Sequence, residues 1–135
     1  MVPFKVKFAP GQSIFDQVCF AAIKSILAGE LKAGESFPSV RTLALDLKIH
    51  PNTAHKVVQH LVQERWLAVQ PGVGTVVAQP PKARIGDRKR LLEDEVEKLV
   101  VEAMRVGAGL GDVQQAVAET WRELRPVKAV VGGRE

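Results

Sequence analysis

The stretch from Pro38 to Leu61, PSVRTLALDLKIHPNTAHKVVQHL, leaves this chain few ways to fold. It encodes two short helices joined by a tight connection. The first opens on Ser39 and runs to about Leu47, with Val40, Leu43, Ala44 and Leu47 at helical spacing. The second starts at Pro51, which suits a first helical position because its missing N–H would find no partner there. Ala54, Val57, Val58, Leu61 and Val62 form its apolar stripe. The opposite face carries Asn52, Lys56, Gln59 and Gln63, flanked by Thr53, His55 and His60, and no carboxylate precedes Glu64.

Amides and a lysine can hydrogen-bond base edges or phosphates, whereas a carboxylate on that face would be repelled by a nucleic-acid backbone. The stretch therefore reads as a helix–turn–helix offering its second helix to a DNA major groove. Two amphipathic helices with a polar outer face also occur in domains that bind no DNA, and these residues alone leave both readings open. The next segment narrows the choice. WLAVQPGVGTVVA places the short β-type runs Leu67–Val69 and Thr75–Val77 around Pro71-Gly72-Val73-Gly74, a hairpin with a glycine-rich tip. A helix, a helix–turn–helix and a two-stranded wing follow one another in winged-helix order.

The flanking segments complete one core. Phe4-Lys5-Val6-Lys7-Phe8 alternates apolar and basic residues, which predicts a short strand packed against the wing or a partner subunit. Ser13 caps a helix to about Ala28, with Ile14, Val18, Ala21, Ala22, Ile26 and Leu27 mainly on one side and Gly29 at its end. Phe15, Leu31, Phe37 and Trp66 add to the core. Gln79-Pro80-Pro81 then breaks regular structure.

Beyond it, a long helix is expected from Asp87 to Val106, with Leu91, Leu92, Val96, Leu99, Val100, Ala103 and Met104 as its stripe. Gly107 to Gly111 form a connection. Asp112 with Gln115 is a capping-box-like pair opening a last helix, whose Val113, Ala116, Val117, Trp121 and Leu124 share a face until Pro126 stops it. Two helices alone cannot bury such stripes, so the winged-helix domain or a second copy must cover them, and a helical dimerisation appendage is the preferred reading. The expected fold class is mainly α with a small β-wing: a winged helix–turn–helix domain at residues 1–79, a linker at 80–87, a two-helix dimerisation appendage at 88–126 and a tail at 127–135. Leu92, Val96, Leu99, Val100, Val117, Trp121 and Leu124 are its dimerisation residues.

Several classes of protein are disfavoured. No apolar run reaches the ~20 residues of a membrane span, and no signal-peptide core opens the chain. The one cysteine, Cys19, has no internal partner and lies in an apolar helix pattern, as for a buried thiol in a reducing cytoplasm. There is no phosphate loop with its lysine, and no nucleophile paired with a base, so no enzyme is expected. His55 and His60 are five residues apart, on different helix faces, where paired metal ligands need i, i+3 or i, i+4 spacing. No metal or cofactor is expected. The net charge of +4 favours anionic partners weakly. The run Lys82, Arg84, Arg88, Lys89, Arg90 fits either contact with flanking phosphates or a solvated linker.

The segment from Ile14 to Ala78 resembles the N-terminal domain of GntR-family bacterial transcription regulators. The resemblance rests on GELKAGE followed by PSVRTLA, on PNT opening the recognition helix, and on the wing ending GVGTVVA. It covers about half of the chain. Most subfamilies continue into a large effector-binding domain, whereas fewer than sixty residues follow the wing here. RKRLLEDEVEKLVVEAMRVGAGLGDVQQAVAETWREL resembles the short two-helix region of the YtrA subfamily, linked to dimerisation.

The resemblance implies that Arg41 touches the DNA backbone or a nearby base, and that Asn52, Thr53, His55 and Lys56 meet the groove. Asn52 suits an adenine edge, Thr53 a phosphate or thymine methyl, Lys56 a guanine or phosphate. Gln59 lies further along the same face, His50 sits at the helix start to cap it or touch a phosphate, and Gly72 and Gly74 let the wing tip turn and approach the duplex. Each has a plainer reading as a solvated surface residue or an ordinary turn. The chain departs from the family pattern in holding Pro71 and Val73 where wing cations are common, and Lys48 and Arg65 where glycines are common. The function implied is a homodimeric transcription regulator, a repressor, on double-stranded DNA with an inverted-repeat site. A DNA-coating protein without sequence preference and a protein-interaction scaffold are the rival readings. A small-molecule effector is left open, with no separate domain to hold it.

Overall fold

Local rules start and stop each helix of the N-terminal half. The computed structural model describes residues 2–124, and they divide into two compact units, the first ending at Pro81 and the second starting at Lys82. In the first unit α1 spans Ile14–Leu27, with the Ser13 hydroxyl accepting from the Asp16 N–H at 2.9 Å. Helix α2 spans Val40–Leu47 under a Ser39 cap that accepts from the Thr42 N–H at 3.1 Å. Helix α3 spans Pro51–Gln63 with Pro51 at its first position. Each cap satisfies a donor that a helix N-terminus leaves unpaired.

The helix ends share one geometry. At α1, Gly29 takes φ +84, its N–H meets the Ile26 carbonyl at 3.2 Å, and the Glu30 N–H reaches the Ser25 carbonyl at 2.9 Å. This is the Schellman closure, which needs a left-handed residue just past the helix. At α2 the left-handed residue is Lys48 (φ 57, ψ 48), and the Ile49 N–H closes on the Ala44 carbonyl at 3.1 Å. At α3 it is Arg65 (φ 70), with the Trp66 N–H on the Leu61 carbonyl at 2.9 Å. Among the described residues, Lys48 and Arg65 are the non-glycine positions with positive φ. A side chain there costs about 1–2 kcal/mol because Cβ crowds the following carbonyl.

The wing is an antiparallel pair, β1 (Leu67–Gln70) and β2 (Gly74–Val77), in the register Leu67↔Val77, Ala68↔Val76, Val69↔Thr75. Its tip turns at Pro71-Gly72. The Val73 N–H meets the Gln70 carbonyl at 3.0 Å and Gly72 has φ +79, the third-position conformation that a type II turn requires. The far edge of β2 is also engaged. Gly34 donates to the Val77 carbonyl, Val77 to Glu35 and Phe37 to Thr75, at 2.7 to 2.9 Å, with Ser36 bridging Val76.

That pairing corrects the expectation for residues 4–8, which form no strand. Phe4 is nevertheless buried and stacks on Phe37, ring centroids 5.9 Å apart. The segment is held by Gln17: its amide oxygen accepts from the Ala9 N–H at 2.7 Å, and its amide nitrogen donates to the Ala9 and Gln12 carbonyls at 3.2 and 3.1 Å. The core joins Val18 and Ala22 of α1, Leu43 of α2, Ala54, Val57 and Leu61 of α3, and Leu67 and Val77 of the wing, all essentially sealed from water. Leu31 and Phe37 are buried with them, Phe15 and Trp66 partly so. Ile14 and Leu27, assigned to the buried side of α1, are exposed instead.

In the second unit, α4 (Asp87–Lys89), a π-helical segment (Arg90–Glu95) and α5 (Val96–Val106) follow without a break. The expected long helix is present, but its second turn is wound wider. Arg90 and Glu95 pair at 3.5 Å across five residues, a spacing the wider winding favours. Gly107 (φ +83) closes α5 and α6 spans Leu110–Leu124. Its start differs from the expected Asp112–Gln115 box. Gly109 is the capping residue, its N–H donates to the Asp112 carboxylate at 2.8 Å, and the Gln115 amide donates to Glu119 instead. The expectations at Pro126 and for the tail lie outside the described residues.

Candidate nucleic-acid interface

Helix α3 owes its orientation to its buried side. Ala54, Val57 and Leu61 are fully covered, so the residues between them are turned away from the core. Asn52, His55, Lys56 and Gln59 are exposed along one side, and Thr53 is half-buried at its margin. The structure thus brings together on one helix five of the residues expected to meet DNA. His60 is half-buried and turns elsewhere, its ring standing edge-on to Phe15 of α1 at 5.3 Å.

His50 occupies the N-cap of α3 in extended conformation. Its Nδ1 accepts from the Asn52 N–H at 3.0 Å. The ring therefore does the work that Ser, Thr, Asp or Asn does at most helix starts. Pro51 has no N–H and the Ala54 N–H meets the His50 carbonyl at 3.1 Å, so of the first turn only the Thr53 N–H is left for a partner beyond the helix, at an end that favours anions. Arg41 is exposed in the first turn of α2, and the Ser39–Thr42 pair (hydroxyls 3.1 Å apart) fixes that turn.

The wing supplies geometry without charge. Val69, Pro71, Gly72, Val73 and Gly74 are all exposed, and none carries a cation. A Cβ on Gly72 or Gly74 would meet nothing within 4 Å, so these glycines serve their positive φ (+79 and +113) rather than close packing. The run of Lys82, Arg84, Arg88, Lys89 and Arg90 is exposed in the second unit.

Among the described residues no cluster of three His, Cys, Asp or Glu side chains could hold a metal. Burial, with a smaller contribution from the Asp16 carboxylate, pushes the Cys19 thiol up to about 11, so it is a neutral core residue rather than a nucleophile. On α5, the Arg105 guanidinium donates to Glu102 (Nε–O 3.0 Å) and lowers that carboxyl below its ordinary range. A groove of about 1250 Å³ runs beside the N-terminal segment, lined by Phe4, Lys5, Val6, Phe20, Lys24 and Leu47 among others, and no residue of α3 borders it.

The expected dimerisation residues Leu92, Val96, Leu99, Val100, Val117 and Trp121 are all exposed, Trp121 at 61%, and Leu124 is half-buried. Only Ala103 is buried among the described residues of the second unit. Gln17 and Ser36, which tie the N-terminal segment and the wing edge in place, escaped the sequence reading. Neither has a local signature, since their partners lie eight and forty residues away.

Three helices, a polar outer face on the third and a two-stranded wing define a winged helix–turn–helix DNA-binding domain. Residues 17–77 match the model of the gntR family of bacterial regulatory proteins. The chain is 26% identical over 107 residues to the HTH-type transcriptional repressor YtrA of Bacillus subtilis, covering 78% of this chain and 82% of that one. The crystal structure of a transcriptional antiterminator from Listeria monocytogenes EGD-e superposes with a TM-score of 0.74 at 20% identity, covering 98% and 95% of the two chains. YtrA from Sulfolobus acidocaldarius, a GntR-family transcription factor, superposes at 0.50 with 24% identity over 88% and 97%. These two structures share the fold. Residues 17–77 thus carry a DNA-binding domain of the gntR type, and the chain as a whole is similar to YtrA-like transcription regulators. It is not an enzyme, and among the described residues no helix is long and apolar enough to cross a membrane.

Proposed function

We propose that this protein is a homodimeric repressor that reads an inverted-repeat operator through α3. The observation that carries the reading is the exposed, carboxylate-free side of α3, with Asn52, His55, Lys56 and Gln59 opposite a sealed apolar face. Asn52 and Gln59 would read base edges, while Arg41 and Lys56 would set position on phosphates. Thr53 and His50 lie at the N-terminal end of α3, which would enter the groove, and Gly72 and Gly74 shape the wing tip.

Dimerisation is supported by the second unit's composition. Its apolar stripe of Leu92, Val96, Leu99 and Val100, with Val117, Trp121 and Leu124 of α6, is more than surface residues need. A second copy would cover it, and a two-fold dimer would place two recognition helices on half-sites about one turn of duplex apart. Repression would follow from occupying a promoter in the cytoplasm.

The test is selection from a random duplex library at near-physiological salt, with protein of measured oligomeric state. Enrichment of an inverted repeat by a dimer supports the proposal. Binding that persists at low salt with nothing enriched would favour a DNA-coating role, and no binding at any salt would favour a protein-interaction scaffold.

A further inference from the structure

Four helices close through a left-handed residue among the described residues, and the chain fills two of those positions with glycine (Gly29, Gly107) and two with cations (Lys48, Arg65). Glycine takes this conformation freely, and a β-carbon does not. Both cations are exposed. Lys48 joins no ion pair among the described residues. The turn is held by the Lys48 and Ile49 N–H groups on the Ala44 carbonyl and by buried Ile49, and the lysine side chain adds nothing to that closure that a glycine would lack. A cation kept where glycine would be less strained raises the question of a role outside the fold, and position decides between the two sites.

The positions differ in place. Lys48 lies two residues before the His50 cap, within about 7 Å of it by chain length alone, at the end of α3 that a recognition helix puts into the groove. Arg65 follows the other end of α3, about 20 Å away along a helix of that length. The wing, a usual source of phosphate contacts, carries no cation from Val69 to Gly74. We propose that Lys48 is a DNA-phosphate contact in the turn of the helix–turn–helix, and that it supplies charge the wing lacks. This rests on the DNA-binding reading of α3. Arg65, equally strained and equally charged, has no such role.

The experiment compares wild type, Lys48→Gly, Lys48→Arg and Arg65→Gly by fluorescence anisotropy on one bound duplex between 50 and 200 mM salt, with thermal melts of each. Both glycine variants relieve strain and should melt higher than wild type. Only Lys48→Gly should bind more weakly. Loss of one phosphate contact per protomer lowers the salt slope of a dimer by about 1.8, so the wild-type advantage should shrink about tenfold across that range. Lys48→Arg should keep the wild-type slope. Lys48→Gly with a wild-type slope would overturn the proposal, as would an equal loss in Arg65→Gly, which would mark a general effect of net charge. Wild-type protein that binds no duplex would instead overturn the DNA-binding reading itself.

Discussion

His50 sits where folding and DNA binding make opposite demands, and substituting it should separate them. Its Nδ1 accepts the Asn52 N–H at 3.0 Å from an extended N-cap conformation. Replacing a capping acceptor with alanine costs about 1 kcal/mol. In a unit of this size that should lower the melting temperature by roughly 4–8 °C. His50→Asp keeps an acceptor and adds a negative charge beside the helix N-terminus, worth about 0.3–1 kcal/mol. Its melting temperature should match or exceed that of wild type.

DNA binding should rank the other way. An aspartate on each protomer would face phosphates at the groove, so affinity should fall in the order wild type, His50→Ala, His50→Asp. Circular dichroism melts at one protein concentration and anisotropy titrations at one salt read the two orders. An unchanged melt for His50→Ala would refute the cap's contribution. Wild-type affinity in His50→Asp would refute the placement of this helix end at DNA.

Leu61, fully buried where α3 meets the core, should cost about 2–5 kcal/mol when cut to alanine, measured by urea denaturation. Leu99→Lys places a charge in the exposed stripe of α5 and should convert dimer to monomer in sedimentation velocity, with the melt of the first unit little changed. The buried Cys19 thiol, raised to about 11, should resist iodoacetamide at pH 8 in native protein and react fully in denaturant. The sign follows from ionisation: the folded state holds its proton where the unfolded thiol releases it, so stability contributed by this group is complete below about pH 9 and declines as pH rises towards 11.

Much of the first unit was legible because its signals are local. Ser13 and Ser39 cap the helices they precede, Pro51 opens α3, and Pro71-Gly72 turns the wing. The side of α3 that faces outward also follows from sequence, since five apolar residues at helical spacing fix the other side. Lys48 and Arg65 stand out against the family pattern, and both take the left-handed conformation a glycine would fill.

The departures have physical causes. Phe4 to Phe8 alternate with strand period, yet the free edge of β2 is taken by residues 34–37, and pairing depends on which edge is open rather than on periodicity. Asp112 does take part in opening α6, but as the residue that reaches back to the Gly109 N–H. An acid near a helix start suits either half of a capping box. The wide winding of Arg90–Glu95 shifts the hydrogen-bond ladder by one residue, which leaves no mark in composition or hydrophobic pattern.

The central claim, that two α3 helices of one dimer read two half-sites on the same side of the duplex, is tested most directly by spacing. Five base pairs inserted at the centre of the enriched repeat rotate one half-site by about half a turn. Affinity should then fall towards that of non-specific DNA, roughly a thousandfold or more for a specific site, and a ten-base-pair insertion should be less damaging. Equal affinity for the original and the five-base-pair variant would contradict that claim.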